Sequence, residues 1–122
     1  MILACLTLAA ALLPSSLSAA AAQASFDCSK ASGAVETAIC ADPTLAEADR
    51  TVAALYADAQ VSAWGAGPSN QLAAQRAWLK VRDGCATRDG KGDEPIGQCL
   101  LASYRSRQGD LAVATLFTTM PS

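Results

Sequence analysis

The side chains of this chain best able to exchange protons are carboxylates, and three of them, Asp42, Glu47 and Asp49, stand close together. Two carboxyl groups held across a cleft would suit glycosidic-bond hydrolysis, but a small helical domain offers little room for such a cleft. The chain has no histidine, which excludes Ser-His-Asp and Cys-His sites. It also lacks a glycine-rich phosphate loop and a metal-binding motif. We therefore expect no catalytic residue, no cofactor and no metal site.

The cysteines offer a different chemistry, the formation of disulfide bonds. Four of the five, Cys28, Cys40, Cys85 and Cys99, follow a leader-like segment, and an even number in a short exported chain is typical of disulfides. Their intervals of 11, 44 and 13 residues lack the close pairs that zinc ribbons use. Disulfides are therefore favoured over a structural zinc site.

The first 24 residues have the features of a secretory signal peptide. An apolar run over residues 1–13 is followed by a Pro-Ser-Ser break, and Ala22-Gln23-Ala24 fits the A-x-A cleavage rule. The run is too short to span a bilayer. We expect cleavage after Ala24, a secreted or periplasmic location, no stable membrane span in the mature chain, and one domain over residues 25–122.

The mature chain has the hydrophobic periodicity of helices, and no stretch alternates with the period of a strand. Asp42-Pro43 gives an N-cap followed by proline at the first helical position, which is a strong start signal. Residues 86–95 are rich in glycine and charge and are predicted as a loop. The four predicted helices are a short one capped by Gly33 with Glu36, a long one after Asp42-Pro43, one over about 69–85 and one over about 96–114. The fold class is therefore an all-α, disulfide-linked bundle of about four helices.

Four cysteines allow three pairings, and a helical hairpin favours one of them. Cys85 ends the third predicted helix and Cys99 lies near the start of the fourth, so a hairpin would bring them together. Cys28 is then left for Cys40. Each bridge would close a short loop and stabilise the domain by about 3 kcal/mol in the chain-entropy model. A core this small needs such help.

Helical phase places three charged side chains on faces that packing would bury. With residues about 100° apart, Arg82 falls beside Trp78, Asp49 borders the apolar stripe of the long helix, and Arg107 lies within that of the last helix. An unpaired buried charge is costly. We predict a two-point ion pair between Asp49 and Arg82, with Arg107 as competitor or third member. Trp78 lies one turn from Arg82, where stacking would add about 0.5–1 kcal/mol.

Two roles are open for these residues. They can form a structural network of Asp49, Arg82, Arg107, Trp78 and Tyr104 that fixes how the helices pack. Alternatively, Arg82, Trp78 and Tyr104 can form an exposed recognition patch. The helical phase of the charges favours the buried network.

The net charge of −2 is unevenly distributed along the chain. Residues 36–58 carry five acids against the single base Arg50, whereas residues 76–107 carry seven bases against four acids. These two blocks can attract each other across the bundle. Because the chain is acidic overall and predicted to be exported, we expect no nucleic-acid partner.

Three segments of the mature chain carry a recognisable set of motifs. In order they contain Phe26-Asp27-Cys28, Ile-Cys-Ala-Asp-Pro at residues 39–43, Asp49-Arg50, Leu55-Tyr56, Gln-Arg-x-Trp-Leu-x-x-Arg-Asp-x-Cys at residues 75–85, and Cys-Leu-x-x-x-Tyr-x-x-Arg at residues 99–107. This pattern resembles the LprI-like lysozyme inhibitor family of small exported bacterial domains. The resemblance implies a bacterial envelope or secreted location and a lysozyme-type partner.

If the protein inhibits lysozyme, we expect it to occlude the sugar-binding cleft, whose working groups are two carboxyls. The predicted loop over residues 86–95 carries Arg88 and Lys91, and it could act as a basic finger clamped at its base by a disulfide. The alternative is that this loop is an ordinary solvated connection. A second mode places the acidic side of the long helix, with Glu47 and Asp58, against a cationic lysozyme and speeds encounter.

A different class of function is also open. The domain could be an envelope ligand carrier or assembly module with a small apolar pocket and no inhibitory activity. Such a module would need a cavity lined by Leu55, Trp78, Leu79 and Leu100.

Overall fold

The computed structural model describes residues 23–61, 68–88 and 95–116, and these ranges contain helices and no strand. The all-α prediction is therefore confirmed. The elements are a 3-10 turn (Cys28–Lys30), α1 (Gly33–Ala41), α2 (Pro43–Val61), α3 (Pro68–Asp83), α4 (Cys85–Arg88) and α5 (Ile96–Leu116). Most of the predicted signal peptide, residues 1–22, lies outside the described ranges. None of the described helices is long and apolar enough to cross a membrane.

The starts of α1 and α2 are set by acidic side chains close to each helix end. The N-cap of α1 is Ser32, one residue before the predicted cap, and its backbone N–H donates to the Glu36 carboxylate at 2.7 Å. Gly33 adopts φ +75°, a conformation that L side chains rarely adopt, so glycine suits this entry. At α2 the prediction is confirmed, because Asp42 Oδ1 accepts the Thr44 N–H at 2.8 Å.

The prediction of a loop over residues 86–95 is wrong for its first residues, because α4 forms one helical turn there. Gly84 separates α3 from α4, and its N–H donates to the Lys80 carbonyl at 3.1 Å. The Gly84 carbonyl then accepts both the backbone N–H and the hydroxyl of Thr87, at 3.2 and 2.9 Å. These local bonds explain a turn that composition alone does not predict. Residues 89–94, including Lys91, lie outside the described ranges.

The core is centred on α2 and α5, which make the most extensive contact between two elements. Alanines at positions 46, 48 and 59 are buried on α2, and their small side chains allow neighbouring helices to approach it closely. Leu100, Tyr104 and Leu111 recur at helical spacing on α5, and Tyr104 is the largest fully buried side chain of the described ranges. By contrast, no described side chain of α3 is fully buried. α3 therefore lies at the periphery and is held by half-buried side chains.

Two disulfides link the helices to their neighbouring segments. Cys28 bonds to Cys40, which ties the 3-10 turn to the end of α1, with the two Cα atoms 5.8 Å apart. Cys85 bonds to Cys99, which ties α4 to α5, with a Cα separation of 5.7 Å. Both distances are ordinary for disulfides. These are the two pairs that the helical hairpin predicts.

Candidate functional site

Asp49 is a buried carboxylate where α2 meets α5 and the segment before the first disulfide. It is only 5% exposed. The Tyr104 hydroxyl donates to Asp49 Oδ1 at 2.7 Å, and the Ser25 backbone N–H donates to Oδ2 at 2.7 Å. Because each carboxylate oxygen has its own donor, the cost of removing Asp49 from water is partly offset. We call Asp49, Tyr104, Ser25 and Arg82 the Asp49 centre.

Tyr104 is the donor that fixes this centre from α5. Its side chain is 0% exposed. Burial raises the pKa of the Tyr104 phenol, and the hydrogen bond to Asp49 and the charge of that carboxylate raise it further. The positive charge of Arg82 opposes these effects without reversing them. Tyr104 therefore keeps its proton at all ordinary pH values and remains a hydrogen-bond donor.

Arg82 reaches the same centre from α3, although its closest carboxylate is a neighbour in sequence. Its Nη1 atom lies 4.0 Å from Asp49 Oδ1, at the outer limit of an ion pair, and 3.5 Å from the Tyr104 hydroxyl oxygen. The two-point contact goes to Asp83 Oδ1, from Nε at 3.0 Å and Nη2 at 2.8 Å. Burial alone would lower the pKa of the Arg82 guanidinium, but the interactions with Asp83 and Tyr104 outweigh it and raise the pKa. Arg82 thus stays charged beside Asp49 without binding it closely.

Trp78 attaches α3 to α5. Its indole Nε1 donates to the carbonyl and the hydroxyl of Ser103, at 3.2 and 3.1 Å. The ring packs edge-on against Tyr104 with centroids 5.4 Å apart. The Arg82 guanidinium carbon lies 5.6 Å from the Trp78 ring centroid, within the range of a cation–π contact. The structure therefore brings Trp78, Arg82, Tyr104 and Asp49 together.

Arg107 does not belong to the Asp49 centre, so its predicted role as competitor or third member is wrong. Its Nε donates to Gln75 Oε1 on α3 at 3.0 Å. Its Nη2 is buried without a hydrogen-bond partner in the described part of the chain. Burial lowers the pKa of the Arg107 guanidinium, and the negative charge of Asp110 offsets part of this effect. Helical phase predicts that Arg107 points inward, but it does not predict which neighbour it meets.

The alternative of an exposed recognition patch is also wrong. Tyr104 is fully buried, and the Arg82 side chain is only 14% exposed. Trp78 is half-buried, with its polar atom bound to Ser103. These residues therefore hold the helices together and offer little surface to a partner.

The sequence reasoning missed Ser25, because a backbone N–H carries no residue-type signature. It also missed an open pocket of about 250 Å³ where the start of α1 meets the end of α3. The lining residues are Ser32, Gly33, Ala34, Val35, Glu36, Arg82, Asp83 and Ala86. Among its lining groups, the Ser32 N–H donates to Glu36 and Arg82 donates to Asp83. These contacts hold the polar side chains of the pocket wall in place.

The predicted partner-binding residues lie apart from the Asp49 centre. Glu47 and Asp58 are exposed on α2. They are eleven positions apart, about three helical turns, so they share one face. Glu47 pairs with Arg50, whose guanidinium also donates to the Gln23 carbonyl. Arg88 is the last residue of α4.

These features define a small all-α domain that is cross-linked by two disulfides and organised around a buried carboxylate. The family model described as lysozyme inhibitor LprI matches residues 28–112. The chain belongs to this family, as its motifs predict. No curated protein and no solved structure matches the chain.

Replacing Asp49 should destabilise the domain far more than replacing an exposed acid on the same helix. Asp49→Ala leaves the Tyr104 hydroxyl and the Ser25 N–H without an acceptor, which should cost about 2–4 kcal/mol of unfolding free energy. Asp58→Ala, the control, should change it by no more than about 0.5 kcal/mol. Urea denaturation of the oxidised protein measures both. Equal small effects would show that the Asp49 centre does not hold the fold.

Alkaline pH should weaken the domain through Tyr104. Because the folded-state pKa is raised above the ordinary 10.0, this contribution is fully present below pH 10 and is lost as the pH rises further. The unfolding free energy should therefore fall by up to about 1.4 kcal/mol per pH unit above pH 10. Denaturation at pH 9 to 11 should show a smaller decline for Tyr104→Phe and the full decline for Tyr56→Phe. An unchanged slope in Tyr104→Phe would contradict this assignment.

Proposed function

We propose that this protein is an exported bacterial inhibitor that binds a lysozyme and occludes its sugar-binding cleft without catalysis. Membership of the lysozyme inhibitor family supports the partner. The two disulfides suit an oxidising compartment outside the cytoplasm. The proposal includes a signal peptide cleaved after Ala24 and a secreted or periplasmic location.

The observation that carries the mechanism is the disulfide between Cys85 and Cys99. It joins the first residue of α4 to the first turn of α5, and so fixes both ends of the segment that connects them. Cys85 is itself buried in the core. A segment held at both ends loses less conformational entropy when it binds, which favours its use in recognition.

The chemistry of this segment suits the cleft of a lysozyme. Arg88 and Lys91 supply two positive charges within four positions. Glycosidases of this class act through two carboxyl groups in the cleft. A basic finger that reaches these carboxyls would block substrate through both charge and bulk.

The outer face of α2 is the proposed surface for first encounter. The acidic side chains of Glu47 and Asp58 share this exposed face. Glu47 is partly neutralised by Arg50, whereas Asp58 makes no ion pair in the described ranges. Charges at the edge of an interface mainly change the rate of association with a cationic partner, and their effect weakens as the salt concentration rises.

The rival function, an envelope carrier of an apolar ligand, receives less support. Of the residues expected to line its cavity, Leu100 is fully buried, and Leu55 and Trp78 pack against the same core. The pocket near α1 is lined by other residues and is open to solvent. This packing favours an inhibitor that acts through its surface.

A cell-wall turbidity assay tests the finger directly. The oxidised mature protein should slow lysis by at least one type of lysozyme. Arg88→Ala combined with Lys91→Ala should weaken inhibition by about tenfold or more, which corresponds to a loss of about 1.4 kcal/mol in binding.

Arg76→Ala combined with Lys80→Ala removes the same two residue types from the exposed face of α3 and should leave inhibition nearly unchanged. If the finger variant inhibits as well as the parent, the finger model is wrong. If the parent inhibits no lysozyme of any type, the proposed function is wrong.

A further inference from the structure

We propose that cleavage between Ala24 and Ser25 creates an α-ammonium group that forms a partly buried ion pair with Asp49. Export processing would then supply a cation at the edge of the core. This inference rests on the proposed cleavage site and is independent of lysozyme inhibition.

The new amino terminus would already be in place. The Ser25 nitrogen lies 2.7 Å from Asp49 Oδ2. In the uncleaved chain this atom is a neutral amide, yet the distance is typical of an ammonium donating to a carboxylate. After cleavage the same atom carries a full positive charge at the same carboxylate oxygen.

A positive charge at the Ser25 nitrogen would stabilise the buried Asp49 carboxylate. Within the described ranges, no side-chain cation binds its carboxylate closely, because Arg82 stops at 4.0 Å and directs two nitrogens to Asp83. The Arg50 guanidinium, one residue along α2, is engaged by Glu47, and its other partner, the Gln23 carbonyl, is removed by the cleavage. A buried carboxylate without a close cation retains much of its desolvation cost. An α-ammonium at Ser25 would offset that cost directly.

Residues after the cleavage site hold the Ser25 nitrogen in position. Phe26 packs against the core. Asp27 accepts hydrogen bonds from the Ser29 N–H and hydroxyl, at 2.9 and 2.7 Å, and so fixes the 3-10 turn. Cys28 is then locked to Cys40. Removing everything before Ser25 leaves these anchors intact.

The order of events follows from the burial of Ala24. This residue is 8% exposed and packs with the core, so a folded precursor would hide the bond to be cut. Cleavage must therefore precede the final packing of this segment. The ion pair would then form only after the chain has been cut, as the mature domain completes its folding.

The ion pair predicts a specific pH dependence of the stability of the domain. An α-amino group ordinarily has a pKa of about 7.7–8.0. The titratable and charged groups near it are Asp49 and Arg50 from α2, Tyr104 from α5 and Arg82 from α3, and within the described ranges only Asp49 binds the Ser25 nitrogen. The adjacent carboxylate should raise the pKa of the α-amine. The stabilisation is then fully present below the ordinary pKa and is lost as the pH rises through the higher folded-state pKa.

The test compares the oxidised chain that begins at Ser25 with the same chain acetylated at the Ser25 nitrogen. Acetylation keeps one N–H for Asp49 but removes the charge. At pH 7 the free-amine chain should melt roughly 4–8 °C higher. The difference should shrink as the pH rises from 8 to 10.

Two variants separate the pair from general charge effects. In Asp49→Asn, acetylation should hardly change the melting temperature, whereas in Asp58→Asn it should lower it as in the parent. At pH 8 the α-amine of the parent should react several-fold more slowly with a limiting acylating reagent than that of Asp49→Asn.

The proposal has three outcomes that would overturn it. One is an acetylated parent that melts at the same temperature as the free-amine parent at pH 7, a comparison that needs no folded Asp49→Asn. Another is an α-amine in the folded parent that titrates with an ordinary pKa. The third is an exported protein whose amino-terminal residue is not Ser25.

Discussion

The burial of the Asp49 carboxylate is the constraint on which the packing of this domain depends. It is the one buried acid within the described ranges. It must therefore find donors inside the protein, and it takes them from two different segments, Ser25 before the first disulfide and Tyr104 on α5. Trp78 then packs on Tyr104 and attaches α3. One carboxylate thus fixes the relative positions of four parts of the chain.

The sequence predicts the helices and the buried positions better than it predicts the partners. Periodicity and the Asp42-Pro43 start depend on local chemistry, so the helices after that start are predicted to within a few residues. The inward direction of Asp49 and Arg82 follows from helical phase. Their partners depend on where the helices cross one another, which is decided by tertiary packing and not by the local sequence. Arg82 therefore makes its two-point contact with Asp83, and Arg107 binds Gln75, although the sequence analysis predicts both at Asp49.

The division between scaffold and surface explains why family membership and mechanism are different questions. The motifs that place the chain in the family include Asp49, Trp78, Arg82 and the cysteines, and these residues lie in the interior or at helix contacts. They fix the fold. On the proposed function, a lysozyme would be recognised by exposed side chains such as those on the outer face of α2 rather than by these residues. The exposed side chains are free to vary without changing the core.

A double-mutant cycle between Asp49→Asn and Tyr104→Phe tests the central interaction most directly. Both changes conserve shape while removing the charge or the hydroxyl. If the hydrogen bond organises the core, the unfolding free energies of the four proteins should give a coupling energy of about 1–3 kcal/mol. The double variant should then be only slightly less stable than the less stable of the two single variants. Strictly additive losses, with a coupling near zero, would contradict the account.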